Sequence, residues 1–131
     1  MYQFAENKLR GWIAHLRSGE YQQGIGYLRD ASSKYCCLGV YLAAVAGLAS
    51  ERLTYAALPD DMENDWIIYM DGPLINTLIV LNDDFRLDFD GIALFLEERI
   101  DKIVNEQVTT DWDKEMVDFL KKHYPDLHQF P

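Results

Sequence analysis

Residues 35–40 read Tyr-Cys-Cys-Leu-Gly-Val and open the most apolar run of this 131-residue chain, which continues to Ala46 without a charged residue. A helix that is apolar on every face is buried on every side, so this run predicts a central helix over residues 36–46. Gly39 lies inside it, where a glycine costs about 1 kcal/mol relative to alanine. We therefore expect Gly39 to permit the close approach of a neighbouring helix. Gly47 is suited to the C-terminal cap.

Three further segments repeat apolar residues every three or four positions, as amphipathic helices do. They span residues 4–17, 89–105 and 111–123. Asp88 is a natural N-cap for the second, and Thr110 is suited to cap the third. The sequence therefore predicts about four helices in total.

Shorter apolar segments between the helices indicate some β-structure. Residues 66–70, Trp-Ile-Ile-Tyr-Met, have the composition of a strand and are followed by a turn sequence. Residues 24–28 are suited to a second short strand, and residues 75–81 fit either a strand or a short helix because they are apolar and partly β-branched. We therefore expect a mainly helical α+β fold with a small sheet, in a single globular domain over residues 1–131.

The chain is strongly acidic, with 12 Lys and Arg residues against 22 Asp and Glu residues and a net charge of −10. This charge disfavours direct binding to nucleic acid, whose phosphates require a basic surface, and it disfavours an anionic membrane surface. It favours a partner protein with a basic surface. The residues that we expect to form the acidic binding surface are Asp60, Asp61, Glu63, Asp83 and Asp84.

The two cysteines, Cys36 and Cys37, are adjacent in the sequence. Adjacent side chains point in different directions, and their Cα atoms are too close for an unstrained disulfide. We therefore expect reduced thiols in a cytoplasmic protein. A helix start can lower a thiol pKa and make the thiol reactive, but free cysteine more often acts as a small buried hydrophobe, which we favour. No metal-ligand spacing accompanies the pair, so we expect no metal and no cofactor.

Polar residues around the glycine-bearing stretch 22–26 suggest a second kind of site. The backbone amides of this stretch, together with Arg29, are suited to an anionic ligand, and aromatic rings supply stacking surfaces. The simpler interpretation, which we favour, is a β-turn between the first helix and a strand. The residues of the ligand-binding alternative are Tyr21, Gln23, Gly24, Arg29, Trp66 and Asn82.

Several short motifs follow one another in a distinctive order. They are Trp12, Ser-Gly-Glu-Tyr-Gln-Gln-Gly at 18–24, Leu28-Arg29, Cys-Cys-Leu-Gly-Val at 36–40, Gly47, Leu58-Pro59, Trp66, Leu78, Leu-Asn-Asp at 81–83, Phe89, Ile92-Ala93 and Glu97. In this order they resemble a family of small proteins that is widespread in bacteriophage genomes and largely of unknown function. The resemblance covers residues 12–100 and leaves out a helical C-terminal extension over residues 103–131. It implies a viral accessory protein in a bacterial host cytoplasm and supplies no activity.

These observations support one leading hypothesis and three alternatives. We expect a non-enzymatic viral accessory protein that inhibits a host system, such as an antiviral defence, through its acidic surface. The alternatives are a sponge for a nucleotide-derived signalling molecule, a cysteine-dependent enzyme and a virion structural protein. The sequence contains neither a nucleophile elbow nor a P-loop, and homo-oligomerisation is left open.

Overall fold

A computed structural model describes residues 6–48, 53, 72–104 and 110–127. These residues form six α-helices and no β-strand. A π-helical turn, Tyr41–Val45, follows the second helix, and a 3₁₀ turn, Pro125–Leu127, follows the sixth. The α-helices are α1 (Glu6–Arg17), α2 (Cys37–Val40), α3 (Gly72–Asp83), α4 (Phe89–Glu97), α5 (Ile100–Val104) and α6 (Trp112–His123).

The central helix begins where the sequence predicts. Cys36 is the N-cap of α2, and its Sγ accepts a hydrogen bond from the Gly39 N–H at 3.4 Å. After Val40 the chain widens into the π-helical turn. Gly47 ends it with a φ of +74°, a left-handed conformation that glycine adopts without strain, which confirms the predicted cap.

Among the described glycines, Gly39 leaves the least room for a side chain. A Cβ built on Gly39 would lie 1.9 Å from the Leu28 carbonyl oxygen. Any residue other than glycine would therefore clash with the Leu28 backbone. The predicted close approach is confirmed, but the predicted neighbour is wrong, because Leu28 belongs to the loop over residues 18–36 and not to a helix. We call this segment the 18–36 loop.

The expectation of an α+β fold is wrong for the described residues, which contain no sheet. Residues 75–81 lie inside α3. Leu74, Leu78 and Leu81 repeat at helical spacing and are buried, so the 3.6-residue period outweighs the β-branched composition of the segment. The predicted strand at 66–70 lies outside the described residues.

Residues 24–28 form part of a loop rather than a strand. Only isolated bridges occur nearby, a parallel one between Gln23 and Tyr35 and an antiparallel one between Arg29 and Tyr35. Gly26 has a φ of +82°, which turns the chain out of an extended path. The turn at Gly26 therefore interrupts the run of ladder hydrogen bonds that a strand needs.

The predicted helix over residues 89–105 is divided in two. Its start is confirmed, since Asp88 Oδ1 accepts a hydrogen bond from the Gly91 N–H at 2.8 Å. The chain then leaves α4 after Glu97 and re-enters a helix at Ile100. At this break the Arg99 side chain, only 8% exposed, turns into the core.

Arg99 attaches α6 to α4. Its guanidinium carbon lies 4.3 Å from the centroid of the Phe95 ring, and its Nε donates to Glu115 Oε1 at 3.0 Å. Helix α6 itself is capped by Asp111, whose Oδ1 accepts from the Lys114 N–H at 3.1 Å, so the predicted Thr110 cap is wrong by one residue.

The core is organised around α1 and the central helix. Helix α1 packs against α4 and against the π-helical turn, while α3 contacts both α2 and α6. Trp12 Nε1 donates to the Cys37 carbonyl oxygen at 3.0 Å, and its ring meets the Tyr41 ring edge-on at 5.2 Å.

Among the described helices, none has the length and apolar character required to cross a membrane.

The contact at Gly39 predicts opposite effects for alanine at two helical glycines. Gly39→Ala should lower the free energy of unfolding by about 2–3 kcal/mol, because the new methyl group forces the Leu28 backbone away. Gly11→Ala is the matched control, since nothing lies within 4 Å of its Cβ position, and it should raise stability by about 0.5–1 kcal/mol. Urea denaturation monitored by circular dichroism measures both values. Equal effects of the two substitutions would contradict the packing described here.

Candidate functional site

The side chain of Asn82 is the centre of a buried hydrogen-bond network. Asn82 is completely inaccessible to solvent, at the C-terminal end of α3. Its Oδ1 accepts from the Cys37 N–H at 3.3 Å, and its Nδ2 donates to the Gly24 carbonyl oxygen at 2.9 Å. One amide group thus connects α3 to the start of α2 and to the 18–36 loop.

Gln23 completes this network from the loop side. Its Nε2 donates to Asn82 Oδ1 at 2.9 Å and to the Leu87 carbonyl oxygen at 2.7 Å. An amide nitrogen carries two hydrogens, so these bonds use its full donor capacity. The structure therefore brings together Gln23, Gly24 and Asn82, three predicted ligand-binding residues, and bonds them to one another.

The side chains of two further predicted ligand-binding residues, Tyr21 and Arg29, make contacts within the 18–36 loop rather than with the amides of Gln23 and Asn82. The Tyr21 ring packs edge-on against the Tyr35 ring at 5.1 Å. Arg29 Nη2 donates to Ser33 Oγ at 2.7 Å within its own loop, and its Nε is buried without a hydrogen-bond partner in the described part of the chain. Trp66 lies outside the described residues.

The environment of the two thiols opposes nucleophilic chemistry. Cys37 is fully buried and Cys36 is 8% exposed. Burial raises the pKa of the Cys36 thiol and raises that of Cys37 well above its ordinary range. A catalytic thiolate requires the opposite direction, so both side chains act here as apolar packing groups with local hydrogen-bonding roles.

A small cleft opens beside the network, between the 18–36 loop and α3. Its volume is about 130 Å³. Asn82 and Asp83 contribute its polar side chains. Its apolar walls come from Tyr27, Leu28, Cys36, Leu38 and Ile79.

Two exposed apolar side chains, Tyr27 and Ile79, line this cleft, and a third, Ile25, lies close to Tyr27 in the sequence. Tyr27 is 52% exposed and Ile79 is 39% exposed, and Ile25 lies two positions before Tyr27 with 42% exposure. We call these three residues the apolar patch. The patch was not predicted from the sequence, in which residues 24–28 are suited to a short strand. The available signal was that Ile25 and Tyr27 are large apolar residues next to glycines in a turn.

Of the predicted acidic surface, Asp83 and Asp84 lie in the described part of the chain, and Asp60, Asp61 and Glu63 do not. Asp84 is exposed, whereas Asp83 is half-buried at the cleft and accepts a hydrogen bond from Asn82 Nδ2 at 2.8 Å. Neither carboxylate forms an ion pair with a described cation. By contrast, several basic side chains elsewhere are paired, as in Arg17–Glu97, Arg99–Glu115 and Lys102–Glu115.

No group of three or more His, Cys, Asp or Glu side chains in residues 6–48, 72–104 and 110–127 is arranged to hold a metal ion. Asp88 is the N-cap of α4. The side chains that line the cleft offer apolar contact and hydrogen bonding beside a carboxylate.

Removal of the Asn82 amide should destabilise the fold. Asn82→Ala leaves the buried Cys37 N–H and the partly buried Gly24 C=O without their partner, and we expect a loss of about 2–4 kcal/mol in the free energy of unfolding. Asn76→Ala, an exposed position on the same helix, should change stability by less than about 0.5 kcal/mol. A double-mutant cycle with Gln23→Ala should give a coupling of about 0.5–1.5 kcal/mol. Additive effects would show that the two amides do not interact.

The thiols should resist modification in the folded protein. Only the thiolate reacts with iodoacetamide, and burial raises the pKa of both thiols. Alkylation at pH 8 should therefore be far slower in buffer than in urea. The folded protein keeps its thiol protons to a higher pH than the unfolded chain does. The contribution of the neutral thiols to the free energy of unfolding should therefore be complete below the ordinary thiol pKa and should fall at higher pH. Rapid labelling of the folded protein at neutral pH would contradict the burial.

A family model described as a domain of unknown function (DUF8296) matches residues 5–46. No curated protein and no solved structure matches the chain. The matched segment contains α1, the 18–36 loop, α2 and the π-helical turn. Asn82, Asp83 and Ile79 lie outside it, so the match includes one wall of the cleft and not the other.

Proposed function

We propose that this chain is a non-enzymatic binding protein that attaches to a basic surface of a partner protein through the apolar patch and the acidic residues beside it. The partner, in this proposal, is a component of a bacterial host, and binding inhibits it. The resemblance to bacteriophage proteins supports the choice of host, and the net charge of −10 supports the choice of a basic surface.

The observation that carries the proposal is the division of roles within one small region. The polar side chains, Gln23 and Asn82, bond inward to each other. The apolar side chains of Tyr27 and Ile79 face solvent at the same place. Protein interfaces are typically built from an apolar, often aromatic centre with a polar rim. Outward-facing apolar groups beside carboxylates therefore fit a protein partner better than a polar small molecule.

Electrostatics supports the same conclusion. Asp83 lines the cleft with Tyr27 and Ile79, Asp84 follows it in the chain, and neither forms an ion pair with a described cation. Carboxylates at this position attract a basic partner over distances comparable with the Debye length, about 8 Å at physiological ionic strength. They also oppose binding to other acidic surfaces, which contributes to the choice of partner.

The alternative of a nucleotide sponge receives less support from this geometry. A nucleotide-sized ligand needs a pocket of roughly 300–1,000 Å³, and the cleft measures about 130 Å³. The amides assigned to that ligand are already occupied by each other and by backbone groups. The sponge therefore takes second place.

The proposal predicts salt-sensitive capture of a host protein that depends on the patch. Tagged protein is incubated with bacterial host lysate at low salt, and bound proteins are identified by mass spectrometry after stepwise elution with salt. The partner should elute well below 1 M salt, where the Debye length falls to about 3 Å. The combined Ile25→Ser, Tyr27→Ser and Ile79→Ser variant should capture less than about a tenth of the amount of partner that the wild-type protein captures, as expected when interface anchors are removed.

Two controls make the test specific to this surface. Leu127→Ser removes an exposed apolar residue outside the patch and should bind as wild type. The purified partner should also be inhibited in its own assay by wild-type protein and not by the triple variant. Equal capture by wild type and the folded triple variant would refute the proposed surface. A thermal shift with a cyclic nucleotide or an ADP-ribose derivative, without any captured protein, would favour the sponge instead.

A further inference from the structure

We infer that the cleft between the 18–36 loop and α3 receives a single lysine or arginine side chain of the partner, with the alkyl part of that side chain on the apolar walls and its cation at Asp83. The inference rests on the proposed protein-binding function and specifies the group that the partner inserts. Its supporting observations are the size of the cleft, its lining and its charge.

The size of the cleft suits one side chain. A cavity of about 150 Å³ accommodates a molecule as small as benzene, and this cleft measures about 130 Å³. The volume is too small for a nucleotide and leaves no room for two large residues. A partner therefore enters it with one side chain while the rest of the contact spreads over the apolar patch outside.

The lining suits a side chain that is apolar along most of its length. Leu28 and Leu38 are buried in the wall, and Tyr27 and Ile79 form the rim. The Cys36 side chain adds further apolar surface because burial raises the pKa of its thiol and keeps it neutral. Lysine and arginine characteristically lay their methylene groups along apolar surface and keep the charged group at a polar site.

The charge of the cleft selects a cation. The Asp83 carboxylate is half-buried there, and the amide of Asn82 holds it in place through a hydrogen bond at 2.8 Å. This bond satisfies one acceptor position of a group that has about four. No cation among the described residues is paired with Asp83, so a partner's cation finds the carboxylate unpaired and already oriented.

Small model compounds test this inference without knowledge of the partner. N-acetyl-lysine N-methylamide and N-acetyl-arginine N-methylamide are titrated at millimolar concentration into ¹⁵N-labelled protein, with N-acetyl-norleucine N-methylamide as the uncharged match for the lysine stem. At least one cationic compound should shift the amide resonances of Tyr27, Cys36 and Ile79 in a saturable way. The norleucine compound should bind about tenfold more weakly, because it lacks the charge-assisted contact.

Asp83→Asn is the deciding variant. Asparagine keeps an oxygen that can accept the hydrogen bond from Asn82, so the fold should survive, and thermal unfolding checks this. In this variant the lysine and norleucine compounds should bind equally. Asp113→Asn, which removes an exposed carboxylate that does not line the cleft, should leave the tenfold preference intact.

The outcomes separate this inference from the proposed function. Absence of saturable shifts at the cleft, or equal binding of lysine and norleucine compounds to wild type, overturns the cationic side-chain site. If host protein is then still captured through the patch, the protein-binding function stands without it. If the cationic compounds bind as expected but the lysate yields no salt-sensitive partner, the site stands and the proposed function fails.

Discussion

The buried amide of Asn82 is the interaction on which the arrangement of the other parts depends. It is bonded to the start of α2, to the 18–36 loop and, through Gln23, to the turn after α3. Inside a protein, a fully satisfied polar network of this kind specifies one arrangement, because any shift leaves a buried group unpaired. The cleft lies between the elements that this amide connects, so its shape follows from the same bonds.

Strong periodicity and clear capping residues made much of the helical structure predictable. Helix α1, the start of α2 at Cys37 and the cap of α4 at Asp88 all follow local rules. The strand predicted at residues 24–28 was wrong because Gly26 turns the chain there. Residues 75–81, which fitted either a strand or a short helix, are helical, and the leucines around Ile79 repeat at helical spacing. The break at Arg99 could not be read locally, since it is stabilised by Glu115, sixteen residues away.

The candidate site shows a different limit of sequence reasoning. Gln23 and Asn82 stand out in the sequence, but an amide that binds a ligand looks the same as one that binds another amide 59 residues away. Only the three-dimensional contact decides between these roles. The apolar patch could not be recognised from residue types, because Ile25, Tyr27 and Ile79 could equally well have been buried. Its meaning comes from the exposure of Tyr27 and Ile79 beside carboxylates that lack described cations, while Arg17 and Arg99 are paired elsewhere.

The contact between Gly39 and the Leu28 carbonyl also bears on the proposed binding surface, which consists of the apolar patch and the acidic residues beside it. Leu28 is the neighbour of Tyr27, so the backbone that carries this exposed aromatic ring rests directly on the central helix. If a partner binds here as proposed, the backbone around Leu28 has less conformational entropy to lose, and preorganisation of that kind increases affinity without any added contact. Recognition by this surface is thus expected to resemble the docking of two rigid bodies, with little rearrangement of the loop on association.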